Sequence, residues 1–483
     1  MQKYSGGGSW SKVRLKRRCR IVASVAARIA EDGATWTRLC ESAQRVDPVE
    51  TITAELLPLC SALKFVGDKG PGLLRTRRLG ASGRPAWLWG VRSEVRRDPH
   101  GTVLVLGTWN YPLLLAGVQI AQALAAGNAV KFKPAVGCEA ISERVVDTFH
   151  RAGVPEQQLR LLDSSTEAAT GAIDAGVDLI VLTGSAGTGR KVLSRAADKI
   201  TPAIMELSGC DAVVIMPGAD LDRASGAIAF GLTLNSGATC IGPRRLVVET
   251  NSADALVAKL REQLENESPV QIHPAARAGV GQAIEQALAN GAVDCLGQFS
   301  SERLQEEGMM APLLLDGVKS DDPIASADLF APVLSVIRVD EIEHAAGIVN
   351  DCPYRLAASV FGPRREAADL AGRLHVGSIA INDLIVPTAD PRVPFGGRGN
   401  SGFGVTRGAE GLLAMTVPVV TSVRCGGLMP HLLPRRMSDA QSLLGLLQLL
   451  HARSFSRRWS GLRQLMAAGR SGDGDESQRQ DAA

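Results

Sequence analysis

Three short motifs in this chain supply a thiol, a carboxylate and a side-chain amide. Cys240 ends the sequence NSGATC, which follows an apolar run, Glu206 lies in MELSG, and Asn110 lies in GTWNYP. A thiolate attacks a carbonyl carbon, an amide N–H stabilises the oxyanion that forms, and a carboxylate activates water to release an acyl group. These residue types together indicate chemistry on a carbonyl carbon.

A glycine-rich turn, TGSAGTGR, follows an apolar run that ends at Leu182. A strand, a turn of small residues and a helix start form an arrangement that binds phosphate, because backbone N–H groups approach closely and the helix N-terminus favours negative charge. Taken alone such a turn is a weak signal, and a purely structural turn fits it equally well.

The segments that must position these motifs alternate between short apolar runs and helical patterns. Strands are predicted over residues 103–106, 129–132, 159–162, 178–182, 212–215, 246–248, 333–337, 358–361 and 415–424. Helices are predicted over residues 12–66, 113–126, 139–152, 188–197, 221–234, 253–264, 342–349 and 365–374. This alternation predicts parallel sheets covered by helices, with ligand sites at the carboxyl ends of the strands.

Length and composition narrow the class of protein further. The chain has 483 residues, 45% of them hydrophobic, with a formal net charge of +3, which allows two or three domains and argues against a nucleic-acid-binding protein. The nine cysteines show no metal-ligand spacing, so no metal site is predicted, and they fit a reduced, cytoplasmic setting. No secretory signal is evident, and no apolar run approaches the roughly 18–20 residues that span a bilayer.

At the three motifs the chain resembles the aldehyde dehydrogenase superfamily, most closely its class 3 or fatty-aldehyde branch, over roughly residues 14–424. The resemblance implies NAD(P)-dependent oxidation of an aldehyde, medium- or long-chain or otherwise lipophilic, to the carboxylic acid. In that chemistry Cys240 attacks the aldehyde, Asn110 and the Cys240 backbone N–H hold the oxyanion, and Glu206 activates the water that hydrolyses the thioester. The implied fold is α/β, with a Rossmann-type cofactor domain, a second α/β catalytic domain and a small β oligomerisation arm.

The resemblance also assigns the cofactor contacts for NAD or NADP. Ser185 would contact the pyrophosphate, and Lys133, in KPAV, would bind the ribose of the adenosine half. Asp328, in DLFAP, would hold the nicotinamide ribose, with Phe330 packed near the nicotinamide. The other residues implied at the cofactor site are Gly184, Thr108, Trp109 and Leu207.

Three positions depart from the family's pattern. Val136 replaces the glutamate of KPxE, which removes an acceptor for the ribose diol and also a charge that would repel a 2′-phosphate, so NAD and NADP are equal alternatives. Ser208 and Cys210 stand where the family has ELGGK, and Ser208 is expected to add bulk near the thiol. Two other functions therefore stay open: a coenzyme A-acylating dehydrogenase, which Glu206 disfavours, and a non-catalytic nucleotide-binding or scaffold protein.

The sequence patterns, taken together with what the resemblance implies, predict a domain organisation of seven parts. They are a helical part of the cofactor domain over residues 1–84, an oligomerisation hairpin over 85–101, an NAD(P)-binding domain over 102–235, a catalytic domain over 236–412, an oligomerisation strand over 413–426, a basic leucine-rich tail over 427–468 and a disordered end over 469–483. The tail contains too few apolar residues to span a bilayer. It either lies on an anionic membrane surface or docks on protein. The resemblance implies a homodimer, and no nucleic-acid partner is expected.

Overall fold

A computed structural model describes residues 8–427, 429–432, 434–435 and 439–480. Its strands are β1 Arg77–Leu79, β2 Val91–Pro99, β3 Thr102–Leu106, β4 Ala129–Lys133, β5 Leu159–Leu161, β6 Leu179–Gly184, β7 Ala203–Leu207, β8 Asp211–Ile215, β9 Pro243–Glu249, β10 Val270–Gln271, β11 Val293–Asp294, β12 Met309–Met310, β13 Leu313–Asp316, β14 Val333–Val339, β15 Tyr354–Arg355, β16 Ala357–Phe361, β17 Ser378–Ile381, β18 Arg398–Gly399, β19 Gly402–Phe403 and β20 Thr416–Arg424.

The helices follow the chain in the same way. They are α1 Gly8–Ser11, α2 Leu15–Glu31, α3 Gly33–Leu39, α4 Pro48–Thr51, α5 Leu57–Leu73, α6 Leu114–Ala126, α7 Glu139–Ala152, α8 Thr166–Asp174, α9 Ala186–Ala197, α10 Leu221–Thr233, α11 Thr250–Leu264, α12 Pro274–Ala289, α13 Ser301–Glu306, α14 Ala345–Asp351, α15 Arg364–Ala371, α16 Gly408–Ala414, α17 Asp439–His451 and α18 Phe455–Gln480. A π-helical turn, Ile52–Leu56, joins α4 to α5.

The first large sheet has six strands in the order β19-β7-β6-β3-β4-β5. Its strands are parallel except β19, which runs antiparallel to β7. The chain winds from β3 through β4 to β5 on one side and continues through β6 and β7 on the other, so the winding direction reverses between β3 and β6. In such sheets the crevice at the reversal point receives the ligand. The motif containing Asn110 follows β3, and the glycine-rich turn follows β6.

The second large sheet has the order β11-β13-β14-β9-β8-β16-β17 and is parallel except for β11. Strand β8 lies inside this sheet, so the chain leaves the first large sheet before residue 211 and not at the predicted boundary of residue 235. Conversely, β19 falls within the predicted catalytic domain and pairs with β7 of the first large sheet. An apolar run identifies a buried strand, whereas its choice of sheet depends on tertiary pairing that local periodicity does not encode.

Helix α6 forms the centre of the core beside the first sheet. Its sequence is apolar on nearly all sides, and every one of its residues is buried. Gly127, at a φ of 103°, ends the helix in the left-handed conformation that favours glycine. Gly117 allows α5 to approach, because a Cβ there would lie 2.9 Å from Leu59. This rigid helix begins just after the motif that contains Asn110.

The helical region predicted over residues 12–66 is interrupted. The chain turns between Cys40 and Asp47, where Ser42 and Arg45 form an isolated bridge. Helix α4 then begins with Pro48, and Asp47 caps it by accepting a hydrogen bond from the Val49 N–H at 2.7 Å. A capping carboxylate followed by proline at the first helical position is a strong helix start, which explains why the helix is not continuous.

The described residues divide into two compact units, and those within 80–93 and 422–480 form the smaller one. Within it, α17 and α18 make a helical hairpin whose backbones meet at two glycines: a Cβ on Gly445 would lie 2.8 Å from the Gly461 carbonyl oxygen. Helix α18 continues to Gln480, which contradicts the disorder predicted for residues 469–480; residues 481–483 lie outside the described residues. A polar composition disfavours burial, but it does not prevent a helix.

The remaining strands form small sheets. Strands β1, β2 and β20 form a three-stranded sheet in that order, and the pairs β10-β12 and β15-β18 are two-stranded. Across the part of the chain that the structure describes, no helix combines the length and apolar character needed to cross a membrane.

Candidate active site

Cys240 lies in the turn between α10 and β9. The turn is shaped by Asn235 and Ser236, each at a φ of 54°, and by Gly237 at 74°. Left-handed backbone is uncommon for residues other than glycine and persists where surrounding contacts impose it. A Cβ on Gly237 would lie 2.8 Å from the Pro332 Cα, so close packing also requires glycine there. The loop that presents the thiol is therefore held in one conformation.

The side chain of Cys240 packs in an apolar setting. It contacts the cluster formed by Ile241, Leu356 and Phe395, which Ile385 also joins. Ile385 itself has a φ of 60°, an unusual conformation for a β-branched residue. Strained residues of this kind cluster at functional sites, and Ile385 packs in the same cluster as Cys240.

The electrostatic surroundings of Cys240 oppose its ionisation. Burial raises the pKa of this thiol to about 12, and the negative charges of Asp211 and Glu206 contribute to the same shift. Arg407 acts in the opposite direction and is a cation that the sequence analysis missed. The resting residue is therefore a neutral thiol, and its proton must leave before or during attack on a carbonyl carbon.

Asn110 is oriented towards the loop of Cys240. Its Nδ2 donates to the Ala238 carbonyl oxygen at 2.8 Å, and its Oδ1 accepts from the Thr108 hydroxyl at 2.8 Å. These two bonds fix which end of the amide faces the thiol loop. A primary amide nitrogen carries two N–H groups, so the second remains for an oxyanion.

Glu206 lies at the end of β7 and is 3% exposed. Its carboxylate accepts hydrogen bonds from Gln119 Nε2 at 3.0 Å, from the Thr183 hydroxyl at 3.3 Å and from the Thr406 hydroxyl. Burial raises the pKa of Glu206, and the Thr406 bond partly offsets this shift. A carboxylate with a raised pKa and fixed orientation is suited to act as a general base.

The three side chains that hold Glu206 were not predicted from the sequence. A signal was present for one of them, because Gln119 is one of two glutamines in helix α6, whose other residues are apolar. Thr183 and Thr406 carried no such signal, since threonine is common in turns and strands.

A single cavity of about 1080 Å³ connects these groups with the glycine-rich turn. All the site residues predicted from the sequence line it: Cys240, Glu206, Asn110, Thr108, Trp109, Lys133, Gly184, Ser185, Leu207, Asp328 and Phe330. The structure therefore brings the chemical motif and the expected phosphate-binding turn to one space, which has room for an extended ligand.

The glycine-rich turn starts α9 at one wall of the cavity. Ser185 is the N-cap, and its Oγ accepts from the Thr188 backbone N–H at 3.2 Å. Gly189 packs on β7, where a Cβ would lie 2.8 Å from Leu207. A helix start of this kind favours an anionic group, because its N–H groups and dipole attract negative charge.

Ser208 lines the cavity and makes two hydrogen bonds. Its hydroxyl donates to Asp328 Oδ2, and its carbonyl accepts from Ser401 at 2.8 Å. The other oxygen of Asp328, Oδ1, is buried and has no hydrogen-bond partner among the described residues. Burial raises the pKa of Asp328. Ser208 therefore orients this carboxylate on the cavity wall, and the unpartnered oxygen fits a ribose hydroxyl of a bound dinucleotide.

An aromatic group closes another side of the cavity. Trp109 stacks on His273, with ring centroids 4.3 Å apart and an interplanar angle of 19°, and Phe330 lies 5.9 Å from Trp109. His273 was not predicted. Burial lowers its pKa, and its Nδ1 caps α12 by accepting from Ala275.

Comparison with known proteins extends these observations. The model of the aldehyde dehydrogenase family matches residues 3–420. The chain is 32% identical over 395 residues to 4,4'-diapolycopene aldehyde oxidase of a Methylomonas species, covering 79% of this chain and 73% of that protein. It is 26% identical to 4,4'-diaponeurosporen-aldehyde dehydrogenase of Staphylococcus aureus, covering 82% of this chain and 85% of the relative.

A solved structure shows the same arrangement of the chain. Mycobacterium tuberculosis aldehyde dehydrogenase complexed with NAD+ superposes with a TM-score of 0.79 at 27% identity, covering 87% of this chain and 88% of the other. The predicted α/β fold class is thereby confirmed. These similarities do not single out the class 3 or fatty-aldehyde branch, which stays a prediction, as do the roles of the individual residues.

Proposed function

Because the chain belongs to the aldehyde dehydrogenase family, we propose that it oxidises a medium- to long-chain or otherwise lipophilic aldehyde to the carboxylic acid with NAD or NADP. The observation that carries this proposal is the shared cavity. Cys240, Asn110 and Glu206 line the same space as the α9 N-terminus and Asp328.

The residues on the cavity wall fit a nicotinamide dinucleotide. Ser185 and the start of α9 would hold the pyrophosphate, Lys133 would bind the ribose of the adenosine half, and the free oxygen of Asp328 would accept from the other ribose. When bound, the nicotinamide supplies a hydride acceptor, which is the oxidant that the reaction needs.

Cys240 performs the first chemical step in this proposal. Its sulfur adds to the aldehyde carbon after losing its proton, and a thiohemiacetal oxyanion forms. The free N–H of Asn110 Nδ2 and the Cys240 backbone N–H stabilise that charge. Arg407 favours the thiolate electrostatically, which offsets part of the effect of burial.

Glu206 acts after the acyl group is attached to Cys240 as a thioester. Its carboxylate removes a proton from water, the resulting hydroxide attacks the thioester carbon, and the thiol is regenerated with release of the carboxylic acid. Gln119 and Thr183 keep the carboxylate in place for this step. Because this base is present and positioned, hydrolysis is favoured over acyl transfer to coenzyme A.

Two observations favour a lipophilic substrate. The thiol lies in an apolar cluster with Phe395 and Ile385, which suits an alkyl or polyene chain better than a charged one. Two relatives are named for diapolycopene and diaponeurosporen aldehydes. We therefore extend the proposal to carotenoid-derived aldehydes, alongside the fatty aldehydes suggested by the motif resemblance.

The smaller unit supports a second part of the proposal, a peripheral contact with anionic lipid. The hairpin of α17 and α18 exposes large apolar side chains, namely Leu443, Leu444, Leu447, Leu450, Phe455, Trp459 and Met466. It also carries the basic residues Arg453, Arg457, Arg458 and Arg463. Apolar and cationic side chains on one short element bind anionic membrane surfaces. We place the enzyme in the cytoplasm, as a homodimer that contacts the membrane through this hairpin.

The proposed activity is tested by measuring NADH and NADPH formation by the purified protein with saturated aldehydes of increasing chain length, with and without coenzyme A. We expect turnover without coenzyme A and a kcat/KM that rises with chain length. Turnover only with coenzyme A would establish the acylating alternative. Nucleotide binding without turnover for any aldehyde, including a carotenoid aldehyde, would favour the non-catalytic alternative.

A further inference from the structure

Arg45 and Glu55 form an ion pair in the protein interior that the chemistry above does not use. Arg45 is 3% exposed and Glu55 is fully buried. Burying two charges is unfavourable unless both are paired and their remaining hydrogen-bonding groups are satisfied. The other hydrogen bonds of Arg45 and Glu55 therefore indicate the function of the pair.

The guanidinium of Arg45 binds three groups in different directions. Besides Glu55, it donates from Nη2 to the Asn110 carbonyl oxygen and from Nε to Asn235 Oδ1 at 3.1 Å. Asn235 Nδ2 also donates to the Asn110 carbonyl, at 2.9 Å. One planar cation thus joins the residue that offers an amide to the oxyanion and the loop that presents Cys240.

Glu55 extends the same network to the start of α6. Its Oε2 accepts from the backbone N–H groups of Leu113 and Leu114 at 2.9 and 2.7 Å. Glu55 lies in the π-helical turn Ile52–Leu56, a deviation that is frequent at functional sites. The segment after Asn110 is therefore fixed at both of its ends.

Residues close to the ion pair also form hydrogen bonds with the loop that presents Cys240. The Ser236 hydroxyl donates to the Gln44 carbonyl at 2.7 Å, and the Asn235 backbone N–H donates to Glu50 at 3.2 Å. Asn235 and Ser236 are the two residues with left-handed backbone in this loop. The interrupted helical segment around Arg45 supplies contacts that hold this conformation.

We propose that Arg45 is a positioning residue for the oxyanion site, which it builds by joining the Asn110 peptide to the loop of Cys240. Arg45 does not line the cavity and acts through Asn110. The inference rests on the proposed function, because it assigns a task to Arg45 only if the Asn110 amide stabilises an oxyanion.

A double-mutant cycle between Arg45→Met and Asn110→Ala tests this inference in the full-length protein. The readouts are kcat for aldehyde oxidation and, with no nucleotide, the hydrolysis of p-nitrophenyl acetate. In the ester reaction the Cys240 thiolate adds to the carbonyl, nitrophenolate leaves, and water hydrolyses the acetyl thioester to acetate and thiol. Both reactions pass through an oxyanion, and the second does not depend on knowing the natural aldehyde.

We expect Arg45→Met to lower kcat in both reactions by roughly 10- to 100-fold, approaching the loss of an oxyanion donor, with a smaller change in KM. The double variant should be within about threefold of Asn110→Ala alone, because residues that act as a unit are not additive. Arg45→Lys keeps the charge without the planar fork and should give an intermediate loss.

Arg18→Met is the matched control. Arg18 is also a buried arginine in the helical region, and it donates to the carbonyls of Val13 and Ala125, away from the Cys240 loop. Its loss should lower Tm and leave ester hydrolysis unchanged. Arg45→Met that behaves like this control would overturn the proposal, and so would a double variant in which the two losses multiply.

Variants that fail to fold, and a wild type that lacks one of the two activities, also give an interpretable result. If Arg45→Met does not fold, Arg45→Lys carries the same cycle, and failure of both variants to fold would overturn the proposal in favour of a purely structural ion pair. If the wild type hydrolyses the ester through Cys240 and the cycle is additive, the inference fails while the proposed function stands. If the wild type oxidises no aldehyde, the proposed function fails, and the ester cycle still tests Arg45.

Discussion

The proposed mechanism requires Cys240 to react in surroundings that stabilise its neutral form, because burial and two carboxylates raise its pKa to about 12. Since only the thiolate is nucleophilic, the rate of alkylation by iodoacetamide should rise about tenfold per pH unit from roughly pH 6 to 10 in the nucleotide-free protein. Mass-spectrometric mapping of the modified peptide measures the rate at this cysteine alone. A rate that levels off near pH 8 would show that the pKa is lowered instead.

The raised pKa of Glu206 leads to a prediction for the pH dependence of kcat. Burial raises its pKa above the ordinary value of 4.5, so the carboxyl stays protonated until the pH exceeds that raised pKa. The base is then present above the raised pKa, and kcat should fall as the pH is lowered through it. Glu206→Gln should reduce steady-state kcat by about 10²–10⁴-fold, the usual contribution of a general base. The variant should retain a first burst of NAD(P)H in stopped-flow absorbance; a burst lost together with turnover would place Glu206 in an earlier step.

Single residues with distinctive chemistry were the part of the site that could be predicted from the sequence. Cys240, Glu206 and Asn110 stand in motifs that a family resemblance makes recognisable. Their supporting partners could not be predicted, since Thr406 is 200 residues from Glu206 and Arg45 is 65 residues from Asn110. Such contacts depend on how sheets and helices pack, and no local pattern records them.

At the scale of elements, the turn after β7 links the catalytic and cofactor parts of the cavity. Ser208 donates a hydrogen bond to Asp328, whose second oxygen has no partner among the described residues and is assigned to the dinucleotide in the proposed function. Ser208→Ala should therefore weaken NAD(P) binding by roughly two- to twelvefold, the net effect of about one hydrogen bond. Isothermal titration calorimetry of the full-length variant measures this directly.

Ser225→Ala provides the control for that substitution. Ser225 is equally buried and donates to the Asp222 carbonyl at 3.1 Å within α10. Its loss should leave nucleotide affinity unchanged. Unaltered affinity in Ser208→Ala would contradict the assignment of Asp328 to the cofactor.

The strands and helices themselves were largely predictable, because apolar runs and capping residues mark them locally. Strand β7 was missed, since Glu206 interrupts its apolar pattern. The placement of β8 in the second sheet and of β19 in the first was also beyond the local pattern. Functional carboxylates break the rule that buried strands are apolar, so a missed strand coincides here with the candidate site.

At the scale of the whole molecule, the family resemblance predicted the α/β architecture that contains the two large sheets. The structure of the C-terminal tail was the part that the sequence predicted least well. A composition rich in polar residues predicted disorder, where the structure has a long helix to Gln480. The hairpin also depends on Gly445 and Gly461, whose close approach is a pairing between segments. Composition alone cannot report such a pairing.

The proposed lipid contact leads to a prediction at this scale. Replacing Arg457 and Arg458 with serine should reduce cosedimentation with phosphatidylglycerol vesicles, because each basic residue near an anionic surface contributes about 1 kcal/mol. Wild-type binding should also weaken with added salt and be absent for phosphatidylcholine vesicles. Serine at the exposed adjacent pair Arg364 and Arg365 is the control and should change nothing. Equal binding by both double variants would argue against the hairpin as the lipid contact.

The most direct test of the proposed function is to identify the covalent intermediate. Glu206→Gln is mixed with a long-chain aldehyde and NAD or NADP, quenched in acid and digested for mass spectrometry, beside the same variant carrying Cys240→Ala. The proposed mechanism predicts an adduct on the peptide that contains Cys240, with the mass of the aldehyde less two hydrogens, and no adduct in the Cys240→Ala protein. An acyl group on another residue, or NAD(P)H formed at an undiminished rate without Cys240, would contradict it.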